Sequence, residues 1–308
     1  MKNILSKEYR QYWMGIAITS VIMLHIVYDR QTSDYVFKFI KMAFLQGDMG
    51  VNIFFFLSAY GLCHSYENNS LIKFYKKRFK RLFPIYIIFL IGIMIYQIGL
   101  TLDFKYLVFN LTGLNMFPII GNSNLTNAWF IPAIILLYIF FPILYTLTKK
   151  FKRVLFHIII AITIIYYIPH CHNIILGMFH ARFQTIILAI ATYIYIKENN
   201  VKDLLSLYTY TAILTLFTYN DCSFYFYIPL IFWVIDYTEI KLPFFNFFTF
   251  IGKYTLEIYL AQVFSLQILF LKMDGNYYLD AIICILITMC LAYGLHLTQK
   301  LFWKIVHV

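Results

Sequence analysis

Apolar runs of close to twenty residues recur from Trp13 to the C-terminus, separated by short clusters of Lys, Arg, Asn and Asp. A run of that length crosses the hydrocarbon core of a bilayer as a helix, because lipid offers no partner for an unpaired backbone group. The pattern predicts ten such helices, at about residues 12–28, 44–63, 82–100, 128–147, 154–169, 174–196, 204–219, 223–236, 250–271 and 278–299. Arg182 interrupts the sixth, which has an alternative start near Phe183 after an outer segment holding Pro169, His170, His172 and His180. The Phe-rich residues 243–250, preceded by Lys241, are expected to lie in the membrane interface ahead of the ninth span. With no internal repeat, low-complexity tract or appended soluble segment, residues 1–308 read as one all-α, polytopic membrane domain.

Composition sharpens this picture. The chain is 62% hydrophobic and 13% charged with mean hydropathy +0.74, against about 25% charged residues in ordinary soluble domains. A net charge of +11 raises the question of nucleic acid, but the basic residues fall in every second loop instead of forming one patch. They are Lys2, Lys7 and Arg10; Lys73, Lys76, Lys77, Arg78, Lys80 and Arg81; Lys149, Lys150, Lys152 and Arg153; Lys197 and Lys202; Lys241; and Lys300 and Lys304. With ten spans these all lie on one side, which makes both termini cytoplasmic and the chain a multi-pass cell-membrane protein. Arg30, Lys38 and Lys41 in the first outer loop run against the trend. No small-residue cleavage pattern follows the first apolar run, so it is expected to remain as a span. The five scattered cysteines show neither a CxxC pair nor metal-ligand spacing with histidine, and read as packing residues.

An ionisable group within a span is costly unless it meets a polar cavity or a partner. His25 has the proton chemistry for activating a hydroxyl; the plainer account is a helix-end histidine wetted beside Asp29 and Arg30. Asp48 and Asn52 share one helical face with Ser58 on a neighbouring one, either lining a cavity or forming a polar seam between helices. Lys76, Lys77, Arg78, Lys80 and Arg81 stand at the mouth of the third span, where they either hold phosphates of an anionic donor or set topology alone. Lys253 and Glu257 have ion-pair spacing, with Tyr259 and Gln262 nearby. Arg182 requires a carboxylate, carbonyls, water or an anion, and Trp129 either lines a cavity or anchors an aromatic belt.

In order and spacing these segments resemble the acyltransferase type 3 family of integral membrane acyltransferases. Gly15-Ile-Ala-Ile and His25 are similar to its first helix, and Gly50-Val-Asn-Ile-Phe-Phe-Phe-Leu-Ser58-Ala-Tyr to its second. Arg78, Arg81 and Pro84 resemble its basic third-helix entry; Trp129, Tyr138 and Pro142 its fourth-helix pattern; and Arg182-Phe183 the arginine ahead of a mid-chain helix. Ile251-Gly-Lys-Tyr-Thr-Leu-Glu-Ile-Tyr-Leu260 resembles its late Gly-x-x-Ser-x-x-x-Tyr-Leu motif. The chain departs from the family at Met14, where an arginine is common on the face of His25 about 16 Å below it. Arg10, one turn further down, is the candidate substitute. Other departures are Ile134 for a glutamate, Asn52 for an acidic residue, Ala59 for glycine and Gln262 for a late histidine.

The resemblance implies O-acyl transfer, with acetyl-CoA as donor, a hydroxyl of an envelope glycan as acceptor and no bound cofactor or metal. It implies His25 as general base, Arg78, Arg81, Arg182 and Arg10 as donor-binding or electrostatic groups, and Asp48, Asn52, Ser58, Trp129, Glu257, Tyr259 and Gln262 as cavity or acceptor-side residues. A flippase of a lipid-linked sugar is the competing reading, although Gly/Pro-broken spans in matching halves, its usual mark, do not occur here. A non-catalytic envelope assembly or receptor protein is a third reading, and it leaves His25 unexplained.

Overall fold

The computed structural model describes residues 6–29, 46–98, 104–114, 128–152, 154, 174–217, 231–232, 234–235, 238 and 242–306. The regular elements among them are helical. They are α1 (Lys7–Asp29), a 3-10 turn (Gln46–Asp48), α2 (Met49–Glu67), α3 (Leu71–Ile98), α4 (Phe104–Thr112), α5 (Phe130–Phe151), α6 (Ile174–Lys197), α7 (Val201–Phe217), α8 (Phe245–Gly252), α9 (Thr255–Phe264) and α10 (Tyr277–Val306). A π-turn (Ser265–Leu269) and a 3-10 turn (Phe270–Lys272) continue α9. The expected span 154–169 lies outside the described residues apart from Val154, and so does most of 223–236.

Among the described residues, four stretches are long and apolar enough to cross a membrane: Leu71–Tyr96, Phe130–Phe151, Thr255–Lys272 and Tyr277–Ile305. Their outward faces support the same conclusion. Ile282, Leu286, Met289, Tyr293, Leu297 and Leu301 form an exposed apolar stripe along α10, and Ile139, Phe140, Ile143 and Leu147 form another on α5. Apolar patches of this size cost too much in water, whereas lipid is their natural solvent.

Two boundaries differ from the sequence reading, and the start expected for the sixth span at residue 174 holds against the alternative near Phe183. α3 begins at Leu71 instead of 82, so the basic run is helical and Arg78 and Arg81 project as an i, i+3 pair. α6 runs unbroken through Arg182 from Ile174, because that guanidinium is paired inside the bundle. The expected ninth span is divided at Lys253–Tyr254, and its Phe-rich leader is the separate helix α8. α8 lies against α1 at van der Waals range. A Cβ on Gly15 would collide with the Phe248 carbonyl oxygen, and one on Gly252 with that of Gln11, so only glycine permits the approach.

The basic residues gather at one end of the bundle. Gln299 donates to the Arg81 carbonyl at 3.0 Å, Lys80 lies 5.0 Å from the centre of the Trp303 ring, and Lys152 pairs with Glu198 at 2.9 Å. At the same end Glu67 ties α2 to α5 and α6, accepting hydrogen bonds from Tyr145 at 2.5 Å, Tyr193 at 2.6 Å and Lys197 at 2.8 Å.

Candidate active site

At this basic end a cavity of about 340 Å³ opens between α1, α2, α3, α5 and the α8–α9 junction. Lys7, Arg10 and Met14 reach it from successive turns of α1, Arg78 and Arg81 from α3, and Lys253 from the break between α8 and α9. Among the described residues its lining holds five cationic side chains and no acidic one. Arg10 fits because residue 61 is glycine: a Cβ there would stand 2.6 Å from its Nη1. The Arg78 guanidinium lies over the rings of Phe74 and Tyr138, 5.4 and 6.0 Å from their centres. The Nε groups of both Arg10 and Arg78 are buried without a hydrogen-bond partner. Like charges crowded together and only partly hydrogen-bonded make a site of strong positive potential, suited to a polyanion.

The far side of the cavity is apolar. Phe54, Leu57, Phe130, Ile131 and Ile134 line it, together with Ser58 and Tyr259. Met14 and Ile134, which stand where the family often carries Arg and Glu, both belong to this lining, so the two departures meet in one place.

His25 lies eleven residues beyond Met14 on α1, about 16 Å further along the axis, and is not part of the cavity wall among the described residues. The Gln267 amide donates to its Nε2 at 2.8 Å and stands 3.3 Å from Nδ1. Gln267 is buried in the π-turn, whose extra residue turns the side chains beyond it away from their α-helical directions; such turns recur at functional sites. Beside it, the Tyr277 hydroxyl donates to the Ile26 carbonyl at 2.7 Å and fixes α10 to α1 at the same level.

Arg182, 1% exposed, donates through Nη2 to both Asp48 carboxylate oxygens at 2.7 and 2.6 Å and through Nη1 to Asn52 Oδ1 at 2.8 Å. The Asp48 side chain remains 40% exposed. Gly47 presses on Ser20 and Leu24 of α1, which brings this cluster to the level of the turn below His25 and away from the cavity.

The remaining candidates fall elsewhere. Glu257 pairs with His296 at 3.1 Å and not with Lys253, which sits in the break between helices where i, i+4 spacing no longer applies. Trp129 caps α5 and stacks on Phe55. Gln262 is fully buried, and neither of its amide atoms has a hydrogen-bond partner. The sequence reading did not single out Gln267 or His296; the only trace of Gln267 was a lone amide in an apolar run.

A helical chain with a cationic cavity at one end of its bundle and a hydrogen-bonded histidine deeper in it has the outline of a membrane group-transfer enzyme. The type 3 acyltransferase domain matches residues 12–297, and the chain belongs to that family. It is therefore a membrane-embedded acyltransferase. No curated protein and no solved structure matches the chain.

Proposed function

We propose that this protein transfers an acetyl group from acetyl-CoA to a hydroxyl of a cell-surface polysaccharide or other envelope glycan, across the plasma membrane of a bacterium. The observation that carries the donor assignment is the cavity with Lys7, Arg10, Arg78, Arg81 and Lys253, no acidic residue among the described lining, and unpaired buried Nε groups on two arginines. The phosphates of coenzyme A match that surface, and its thiol-bearing arm matches the apolar far side. The basic end faces the cytoplasm, where acyl-CoA is made. The acceptor approaches from the opposite side, where His25 and the Asp48–Asn52–Arg182 cluster lie.

In the reaction His25 takes the proton of the acceptor hydroxyl as its oxygen attacks the thioester carbonyl. The C–S bond breaks, the C–O ester bond forms, and the departing thiolate receives the proton from the imidazolium. Arg182 is neutralised by Asp48 and acts by holding the Asp48–Asn52 cluster in place at the level of the turn below His25. Replacing both Arg78 and Arg81 with Gln is expected to weaken acetyl-CoA binding roughly a hundredfold or more, the loss of two charge-assisted contacts. The amount of protein in the membrane should hold, because Lys73, Lys76, Lys77 and Lys80 remain. Acetylation that survives the double change would reduce the cluster to a topology signal. Mass spectrometry of envelope glycans from cells with and without the protein identifies the acceptor.

A further inference from the structure

Gln262 is 0% exposed, yet its Nε2 and Oε1 are both buried without a hydrogen-bond partner. An amide withdrawn from water with neither group paired is destabilising, and buried polar groups are almost always satisfied. The cost has no structural return here, since the amide joins no helices.

Its position supplies a reason. Gln11 meets Gly252 and His25 meets Gln267, so α1 and α9 with its π-turn run in the same direction. Gln262 falls between these two levels. Thr255, seven residues earlier, lines the cationic cavity, and a seven-residue step returns to within about 20° of the same face. Tyr259, three residues earlier, lines it too. Gln262 thus stands about 5 Å beyond Tyr259 on the way to Gln267 and His25, which lie about 8 Å further on.

From this placement we infer that Gln262 is a substrate-binding residue for the donor's arm: its carboxamide pairs with a secondary amide of the pantetheine chain as that chain runs from the cavity towards His25. The inference rests on the acyl-CoA reading proposed above and adds a subsite to it. The chemistry selects the ligand. A free carboxamide presents one donor face and one acceptor, which a secondary amide answers with its own C=O and N–H. A phosphate uses only the donor, and the arginines already provide for it. An acyl chain uses neither.

The experiment compares two ligands on the purified full-length protein in lipid nanodiscs: coenzyme A, and adenosine 3′,5′-bisphosphate, which keeps phosphates of the head but lacks the arm. Gln262→Leu and Gln262→Met are both measured, so that a packing defect in one does not decide the outcome. Both variants should bind coenzyme A about tenfold more weakly and the bisphosphate as wild type does, while their thermal midpoints equal or exceed that of the wild type. Unchanged coenzyme A affinity in either folded variant would overturn the subsite, as would an equal loss for both ligands or a failure of both variants to fold. A wild-type protein that binds neither ligand would refute the donor reading itself; one that binds both equally would refute only the arm's path past Gln262.

Discussion

The side chains proposed to carry the chemistry are polar groups made affordable by particular neighbours. Arg182 is tolerated in the bundle because Asp48 meets its charge in a bidentate pair and Asn52 takes a third N–H. His25 is held by the Gln267 amide. A general base typically contributes about 10²- to 10⁴-fold to rate, whereas a packing histidine tolerates a polar replacement of similar size. His25→Asn and His25→Gln are therefore expected to insert normally and to deliver the glycan to the envelope in normal amount without its acyl ester. Unchanged acylation in both would remove His25 from the mechanism, and loss of glycan export with no ester in the wild type would favour transport. Gln267→Leu removes only the contact that orients the ring, so kcat should fall about tenfold, the worth of one such hydrogen bond, with donor KM unchanged; a matching rise in KM would instead mean that the change disturbs the donor cavity. His25, Asp48, Asn52 and Arg182 were legible in the sequence because an ionisable or amide side chain stands out in an apolar run. Gln267 was not, because its aim depends on a π-turn for which residues 265–269 carry no sequence mark.

Between elements, the spacing that hydropathy reads well is helix existence, and what it reads poorly is where a helix starts beyond the bilayer. The basic run ahead of Pro84 looked like a loop because charge masks amphipathicity; in the fold it is the opening of α3, and this brings Arg78 and Arg81 to one face. The division between α8 and α9 was equally hidden, since residues 243–264 are apolar on both sides of Lys253. Glycine is the clue that was present and unread. Gly15 and Gly252 let α8 touch α1 backbone to backbone, so Gly15→Ala forces a helix to shift and should cost about 1–3 kcal/mol, seen as a lower thermal midpoint in detergent. Gly61→Ala differs in kind, because its Cβ meets only the tip of Arg10. It should leave the midpoint nearly unchanged while weakening acetyl-CoA binding, and a large drop in midpoint would show that Gly61 serves packing instead.

For the molecule as a whole, the alternation of basic loops implied a sidedness, and the fold gives that implication a geometric form. Lys7 and Arg10, the start of α3, Lys152 beyond α5, Lys197 at the end of α6, Lys253 and the end of α10 come together at one end, linked by contacts such as Gln299 to Arg81, Lys152 to Glu198 and Lys197 to Glu67. A cationic end is held in the cytoplasm during insertion, and the same end holds the cavity proposed for a cytoplasmic donor. Orientation and donor access are thus one physical claim, and they stand or fall together. The ten spans expected from the sequence, including those at 154–169 and 223–236, would place both termini on that side. Reporter fusions after Lys7, Lys150 and Val308 should therefore all give a cytoplasmic signal. An external signal at Val308 alone would mean an odd number of spans, in conflict with α10 ending beside Arg81. An external signal at Lys7 and Lys150 together would turn the cationic cavity away from the acyl-CoA pool, and the donor would then have to be an anion available outside the cell.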